Sequence, residues 1–284
     1  RFQAPCNDVD GYNNTITMLR TSLENAEKQP MKAYSDSLQA TLYGHNPLRA
    51  SLKLADLNKA NFETIKKLYS ERLNVDSLRE FTEQYIAPLK GVKKREHYID
   101  LKVEPVQGVV NNHFFRQMET PQAIVVQIYS GKNPYTMKEA AVVNALGAVL
   151  TQRYLKSIRE DAGIAYSVGT DGSASYGVND RYSLVTQCPV KPAQLDSALL
   201  LMKQGIEDIA KNGVTADELE KVLAFELKDY ADNQKKNGYW MNLITEKVVW
   251  NKDLRTNYEA TLKSITSKDI QDFVNNVVLK QNNC

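Results

Sequence analysis

Apolar residues in the first ninety positions recur at helical spacing, and short β-branched runs join them only after about position 113. The opening thirty residues are polar and weakly patterned, with Asn13-Asn14 and Gln29-Pro30 as breakers, and suggest a helix over 15–26. A second helix is expected over 32–42, ending at Gly44. Asn58 or Asn61 is placed to cap a third, whose Phe62, Ile65, Leu68 and Tyr69 share one face. A fourth is expected over 75–86, with Leu78, Phe81 and Tyr85 together and Pro88 as its stop. This stretch contains almost no strand, which is odd, because amphipathic helices need a sheet or further helices to bury their apolar faces.

The pattern then changes. Segment 91–107 mixes charges around Gly91 and Pro105 and is expected to be a linker. The β-branched run 123–129 predicts a buried strand. Thr136 with Glu139 is a capping box opening a helix to about Ile158. Strands are expected over 164–168 and 182–187, joined through Gly169, Gly172 and Gly177. Pro192 suits the first turn of a helix that Asn212-Gly213 ends. Thr215 with Glu218 opens another to about Asp232, 240–250 is helical in pattern, and Thr266 with Asp269 caps a last helix through Val278. Strand, helix, two strands and serial helices make an α+β fold, an antiparallel or mixed sheet with helices on one face. The expected organisation is a partial, mostly helical domain over 1–90, the linker, and a complete α+β domain over 108–284. No internal repeat or low-complexity tract is visible.

Composition narrows the function. In 284 residues, 42% hydrophobic and 25% charged residues describe an ordinary globular chain with material for a core. Its 36 basic and 34 acidic side chains leave a net charge of +2, so no electrostatic argument favours nucleic acid or an anionic membrane. The one tight basic cluster, Lys93, Lys94 and Arg95, suits a solvated patch. No apolar run approaches the ~20 residues that span a bilayer. The chain opens Arg-Phe-Gln-Ala-Pro with neither a signal peptide nor a Met, as expected of a processed or truncated product. Cys6, Cys188 and Cys284 are too far apart for a zinc knuckle or a redox pair. One disulfide or three free thiols are both compatible with them, and Cys188 suits a small buried hydrophobe.

The search for chemistry returns mostly exclusions. His45, His97 and His113 stand alone, and neither His-Glu-x-x-His nor its inverse occurs, so no zinc site is expected in this chain. Gly172-Ser173-Ala174-Ser175 lacks the second glycine of a nucleophile elbow, and no phosphate-binding glycine loop is present. What remains is the passage from Ser157 to Val168, where a helix ends, a glycine turns the chain and a strand begins. Arg159 and Tyr166 lie seven residues apart across that reversal. They either converge as a guanidinium fork and a hydroxyl donor suited to a peptide carbonyl, or act separately, Arg159 capping the helix and Tyr166 packing in the sheet. Glu160 and Asp161 at the helix end oppose its dipole.

The run Leu155-x-x-Ile158-Arg159-Glu160-Asp161-x-Gly163-x-x-Tyr166-Ser167-Val168 resembles the C-terminal half of pitrilysin/insulinase-type zinc peptidases, the inverzincins, most closely the bacterial ones. Val214-Thr-Ala-Asp-Glu-Leu-Glu-Lys221 and the run from Phe62 to Leu73 extend the resemblance over roughly residues 30–280. The resemblance implies inverzincin-like α+β domains in two halves closing as a clamshell. The other half carries zinc and the general base, as part of the same protein or as a separate subunit. It implies further that Arg159 and Tyr166 reach the active site and hold peptide substrate, that no catalytic residue lies in this chain, and that the chain alone is inactive. Two rival readings are a stand-alone non-catalytic subunit of a two-chain processing peptidase and a structural descendant without proteolysis. The resemblance leans toward the periplasm or cell envelope; the residues leave the compartment open. The family pattern also places a strand between Leu73 and Asn74, which here abut, so the strand has been lost or residues are missing at that point.

Overall fold

The computed structural model describes residues 7–72, 101–115, 121–177 and 179–283. The helix expected over 75–86, the Lys93–Arg95 cluster, His97, Cys6, Cys284 and the Leu73–Asn74 junction lie outside these residues, as does most of the expected linker. The chain forms two compact units, Arg1–Glu104 and Pro105–Cys284.

The described part of the first unit is helical: α1 (Val9–Glu27), α2 (Pro30–Leu42), a short α3 (Leu54–Leu57) and α4 (Phe62–Arg72). Helix α1 begins earlier than its apolar pattern predicts, because Asp8 accepts the Gly11 amide at 2.7 Å and supplies a cap. Tyr12 fastens it to α4, stacking on Phe62 with centroids 4.9 Å apart and donating to the Ala60 carbonyl at 3.0 Å. Among the described residues of this unit only Leu57 is buried.

The second unit has a real core. Strands β1 (Ala123–Lys132), β2 (Gly169–Ser175), β3 (Arg181–Val190) and β4 (Asn282–Asn283) form an antiparallel sheet in the order β2-β3-β1-β4. Val125, Gln127 and Tyr129 pair with Cys188, Thr186 and Leu184, which puts alternate side chains of both strands on one buried face. Helix α5 (Met137–Tyr154) lies against it, flanked by α6 (Leu195–Asn212), α7 (Ala216–Asn233), α9 (Tyr258–Lys263) and α10 (Ser267–Asn276), while α8 (Asn237–Trp250) links α7 to α9 and buries no residue. Val143, Leu146 and Leu150 of α5 meet Met202, Ile206 and Ile209 of α6 and Ile270 and Val274 of α10, all at most 1% exposed. The α+β class read from the sequence is therefore the observed one.

Two glycines set the closeness of helix and sheet. A Cβ on Gly172 would stand 2.1 Å from the Val143 carbonyl oxygen, and one on Gly147 2.7 Å from the Gly172 nitrogen. Gly169 and Gly172, expected in a turn, thus belong inside β2, where Gly172 admits the helix backbone. The Thr151 hydroxyl accepts from the Thr170 amide at 2.8 Å and donates to its carbonyl at 3.1 Å. Helix α5 so covers an outer strand of the sheet.

Basic residues near either end of α5 fasten it to capping boxes. Thr215 and Glu218 form the reciprocal box at the start of α7, and Glu218 also takes Arg153. Thr266 and Asp269 do the same for α10, and Asp269 takes Lys138 at 2.7 Å. At Thr136 only half the expected box forms: its hydroxyl accepts from the Glu139 amide, but the Glu139 carboxylate takes Asn133 instead. Cys188 is fully buried and unpaired, as expected of a small hydrophobe, and burial pushes its thiol pKa up. No helix among the described residues is long and apolar enough to cross a membrane.

Candidate functional site

The passage carrying Arg159 and Tyr166 departs from regular structure on both sides of its glycine. Helix α5 does not run on to Ile158 as an α-helix. It ends at Tyr154 and widens into a π-helical turn over Leu155–Asp161. The Ala162 amide reaches the Ser157 carbonyl at 3.2 Å and the Ile164 amide the Ile158 carbonyl at 2.9 Å. Gly163, at φ +60°, supplies the left-handed residue that reverses the chain. The turn is anchored from beneath. Ile158 is fully buried, and Tyr154 donates to the Met202 carbonyl at 2.6 Å, its ring occupying space where a Cβ on Gly205 would stand 2.3 Å from Cε1.

The strand expected over 164–168 forms only as a single bridge, Ala165 to Val190, and regular pairing begins at Gly169. Ala165 and Val168 turn into the core while Tyr166 is 88% exposed. Tyr166 therefore does not pack in the sheet. Arg159 is exposed too, and its guanidinium carbon lies 5.6 Å from the centre of the Tyr166 ring, a cation–π contact. The structure thus brings the two predicted side chains together. Among the described residues Arg159 makes no hydrogen bond and no ion pair, even with its neighbours Glu160 and Asp161, so capping the helix is not its role. Ser167, which sequence reasoning did not single out, also faces outward beside Tyr166. Its signal was there: Ala165 and Val168 are apolar at a spacing of three, which a strand of period two does not produce.

The guanidinium offers donors only and the phenol hydroxyl can add one more, so the pair suits an acceptor such as a peptide carbonyl or carboxylate. It is an open rim. A concavity of about 550 Å³ lined by Tyr230, Arg255 and Tyr258 lies elsewhere in the unit, and neither Arg159 nor Tyr166 lines it. Nothing described fits zinc. His45 and His113 are exposed and lie in different units, and no three His, Cys, Asp or Glu side chains among the described residues gather to hold a metal ion. Ser173 and Ser175, in the stretch resembling a nucleophile elbow, lie in regular strand with no histidine among their partners.

The model of a family described as the peptidase M16 inactive domain matches residues 72–225. No curated protein sequence matches the chain. Among solved structures, the periplasmic protease PqqL from Escherichia coli shares the fold at a TM-score of 0.74 and 15% identity, over 95% of this chain and 32% of its own. A protease from Helicobacter pylori does so at 0.72 and 14%, over 97% of this chain and 71% of its own. A mutant of the ferredoxin protease FusC, in complex with Arabidopsis ferredoxin, does so at 0.70 and 13%, over 95% of this chain and 32% of its own. The chain therefore spans about a third of the length of PqqL and FusC.

Proposed function

The chain belongs to the peptidase M16 family, matched over more than half its length by the inactive domain, and from that premise we propose that it holds peptide substrate for a zinc endopeptidase site located elsewhere. That site lies in another part of the same protein or in a separate subunit. Arg159 and Tyr166 are the substrate contact and this chain supplies no catalytic group. The observation that carries the reading is Arg159, a solvent-facing guanidinium with no internal anion among the described residues, held over an exposed tyrosine ring. A cation that fastens the fold finds its partners inside the fold; this one keeps its donors for a ligand. The stacked ring fixes the plane of the guanidinium, and the phenol adds a second donor. Donors preset in this way act most strongly where negative charge develops on a carbonyl oxygen, once a closing half excludes water.

The test is turnover of an unstructured peptide by this chain combined with the catalytic half. The chain alone is inactive and the mixture is active. Tyr166→Phe removes one hydroxyl and lowers turnover by about 10²-fold or more, with the melting temperature unchanged. Arg159→Lys is also harmful, because an ammonium does not reproduce the fork. Near wild-type turnover for Tyr166→Phe would remove the tyrosine from the site. Chelator-sensitive cleavage by this chain alone would overturn the assignment as a substrate-holding half. Normal turnover for both variants would remove the pair from the substrate contact, and a mixture without turnover would favour a structural role without proteolysis.

A further inference from the structure

Pairing across the start of β2 contains one residue too many. Ala165 bridges Val190 and Gly169 pairs with Gln187, so the first strand advances four residues (169 − 165) while its partner advances three (190 − 187). That surplus is the definition of a β-bulge. Its place follows from burial. Ala165 at 9% and Val168 at 6% exposure both face the core, so Tyr166 and Ser167 face outward in succession where alternation allows one residue.

Removing Ser167 would bring the whole stretch into phase. Tyr166 would then oppose Pro189 and Val168 would oppose Cys188, with Ala165 and Gly169 keeping their present partners. Cys188 and Val190 already face the core at 0% and 4% exposure, so the inward residues would still meet inward residues. The chain thus contains a residue its sheet does not need, at the point where it leaves the Gly163 turn. A bulge bends its strand and raises the local twist. In an unbroken strand Tyr166 would stand on the sheet beside Pro189. With the bulge it lies against the end of the preceding helix, where the π-helical turn presents Arg159. Departures from the local rule concentrate where position matters more than regular pairing.

We infer that Ser167 is a positioning residue: the extra backbone unit it adds to the strand, rather than its hydroxyl, sets the Tyr166 ring beneath Arg159. The inference rests on reading that pair as the substrate contact, but it has a readout of its own. The Arg159 δ-proton shifts report the ring current of Tyr166 in the 284-residue chain, with Tyr166→Leu as the zero. Deleting Ser167 should move those shifts to the Tyr166→Leu value while the melting temperature stays at or above wild type. Ser167→Ala keeps the backbone count and should leave the shifts at wild type. Combined with the catalytic half, the deletion should lower turnover about as far as Tyr166→Phe, on the order of 10²-fold.

Retained ring-current shifts in the deletion would overturn the inference. So would failure of the deletion to fold, because the argument requires Ala165 and Val168 to pair in phase with Val190 and Cys188. Loss of the shifts in Ser167→Ala would transfer the effect to the hydroxyl and overturn it equally. If Tyr166→Phe proves silent in turnover, the tyrosine's part in the substrate reading fails, and the ring-current experiment still decides the positioning claim.

Discussion

Arg153 and Arg159 stand six residues apart on one continuous helical passage, and they have opposite surroundings. Arg153 is 17% exposed and spends its donors inside the fold. Its Nε and Nη2 grip Glu218 at 2.7 and 2.9 Å, Nη1 reaches Asp208 at 2.7 Å, and Nη2 also reaches the Gly213 carbonyl at 3.0 Å. One guanidinium thereby ties α5 to the end of α6 and the start of α7. Arg159 lies at the surface over an exposed ring. The two share a residue type, a charge and a helical passage, so none of these assigns a role. The partners do: an arginine whose acceptors belong to its own fold holds that fold, and one without such acceptors is presented outward.

The largest expected effect separates the two directly. Arg153→Met leaves Glu218, at 21% side-chain exposure, and the half-exposed Asp208 without their cation, and it should cost about 2 kcal/mol, somewhat less than breaking a fully buried pair. Urea unfolding measures this, and a loss below about 0.5 kcal/mol, the ordinary range for surface changes, would break the comparison.

A second, smaller effect depends on pH. Hydrogen bonds from Arg153 first, then the amide and hydroxyl of Thr215, hold the Glu218 carboxyl down to about 2 against the opposing pull of burial. The folded value lies below the unfolded one, so the stabilisation is complete above the ordinary carboxylate range and is lost as pH falls toward 2. The carboxyl is partly open to solvent, so the shift is worth about 1–2 kcal/mol at neutral pH after screening, of which more than half is gone by pH 3. Unfolding free energies at pH 5, 4 and 3 should show this loss in the wild type and in Arg159→Met, and much less of it in Arg153→Met. Identical slopes in all three would mean that Arg153 does not hold that carboxyl.

The same contrast explains what the amino-acid sequence let one read. Capping boxes at Thr215 and Thr266 were legible because their partners are three residues apart and depend on no other part of the chain. That Glu218 also receives Arg153, 65 residues away, was not. Gly172 read as a turn glycine because nothing local announces the backbone of Val143 arriving against it. Helix α8 was legible in its period, but its facing was not: Met241, Ile244 and Val248, on one stripe, are 62%, 57% and 78% exposed. Helix α9 and the two-residue β4 were too short to show a period. The candidate site was legible only in part. Seven-residue spacing across a glycine turn left both convergence and separate roles open for Arg159 and Tyr166, and the resemblance favoured convergence, whereas the bulge that turns Tyr166 and Ser167 out together required the pairing register.

The smallest expected effect is the most discriminating. Arg159→Met should change stability by no more than about 0.5 kcal/mol, the usual range for a surface substitution that breaks no special feature. The reasoning is one of partners again. Removing Arg159 strands no buried acid, because among the described residues none is paired with it. It exposes no core, since Ile158 beside it carries the packing. What is lost is its contact with Tyr166, and an exposed cation–π pair is worth about 0.5 kcal/mol and seldom more than 1. A double-mutant cycle over Arg159→Met and Tyr166→Leu isolates that contact, and its coupling energy should be of this size. A coupling above about 2 kcal/mol would be out of proportion to a solvent-exposed stack. It would make the pair a brace of the Gly163 turn, of the same kind as Arg153 with Glu218, and an arginine committed to bracing its own fold would no longer be free to receive a peptide.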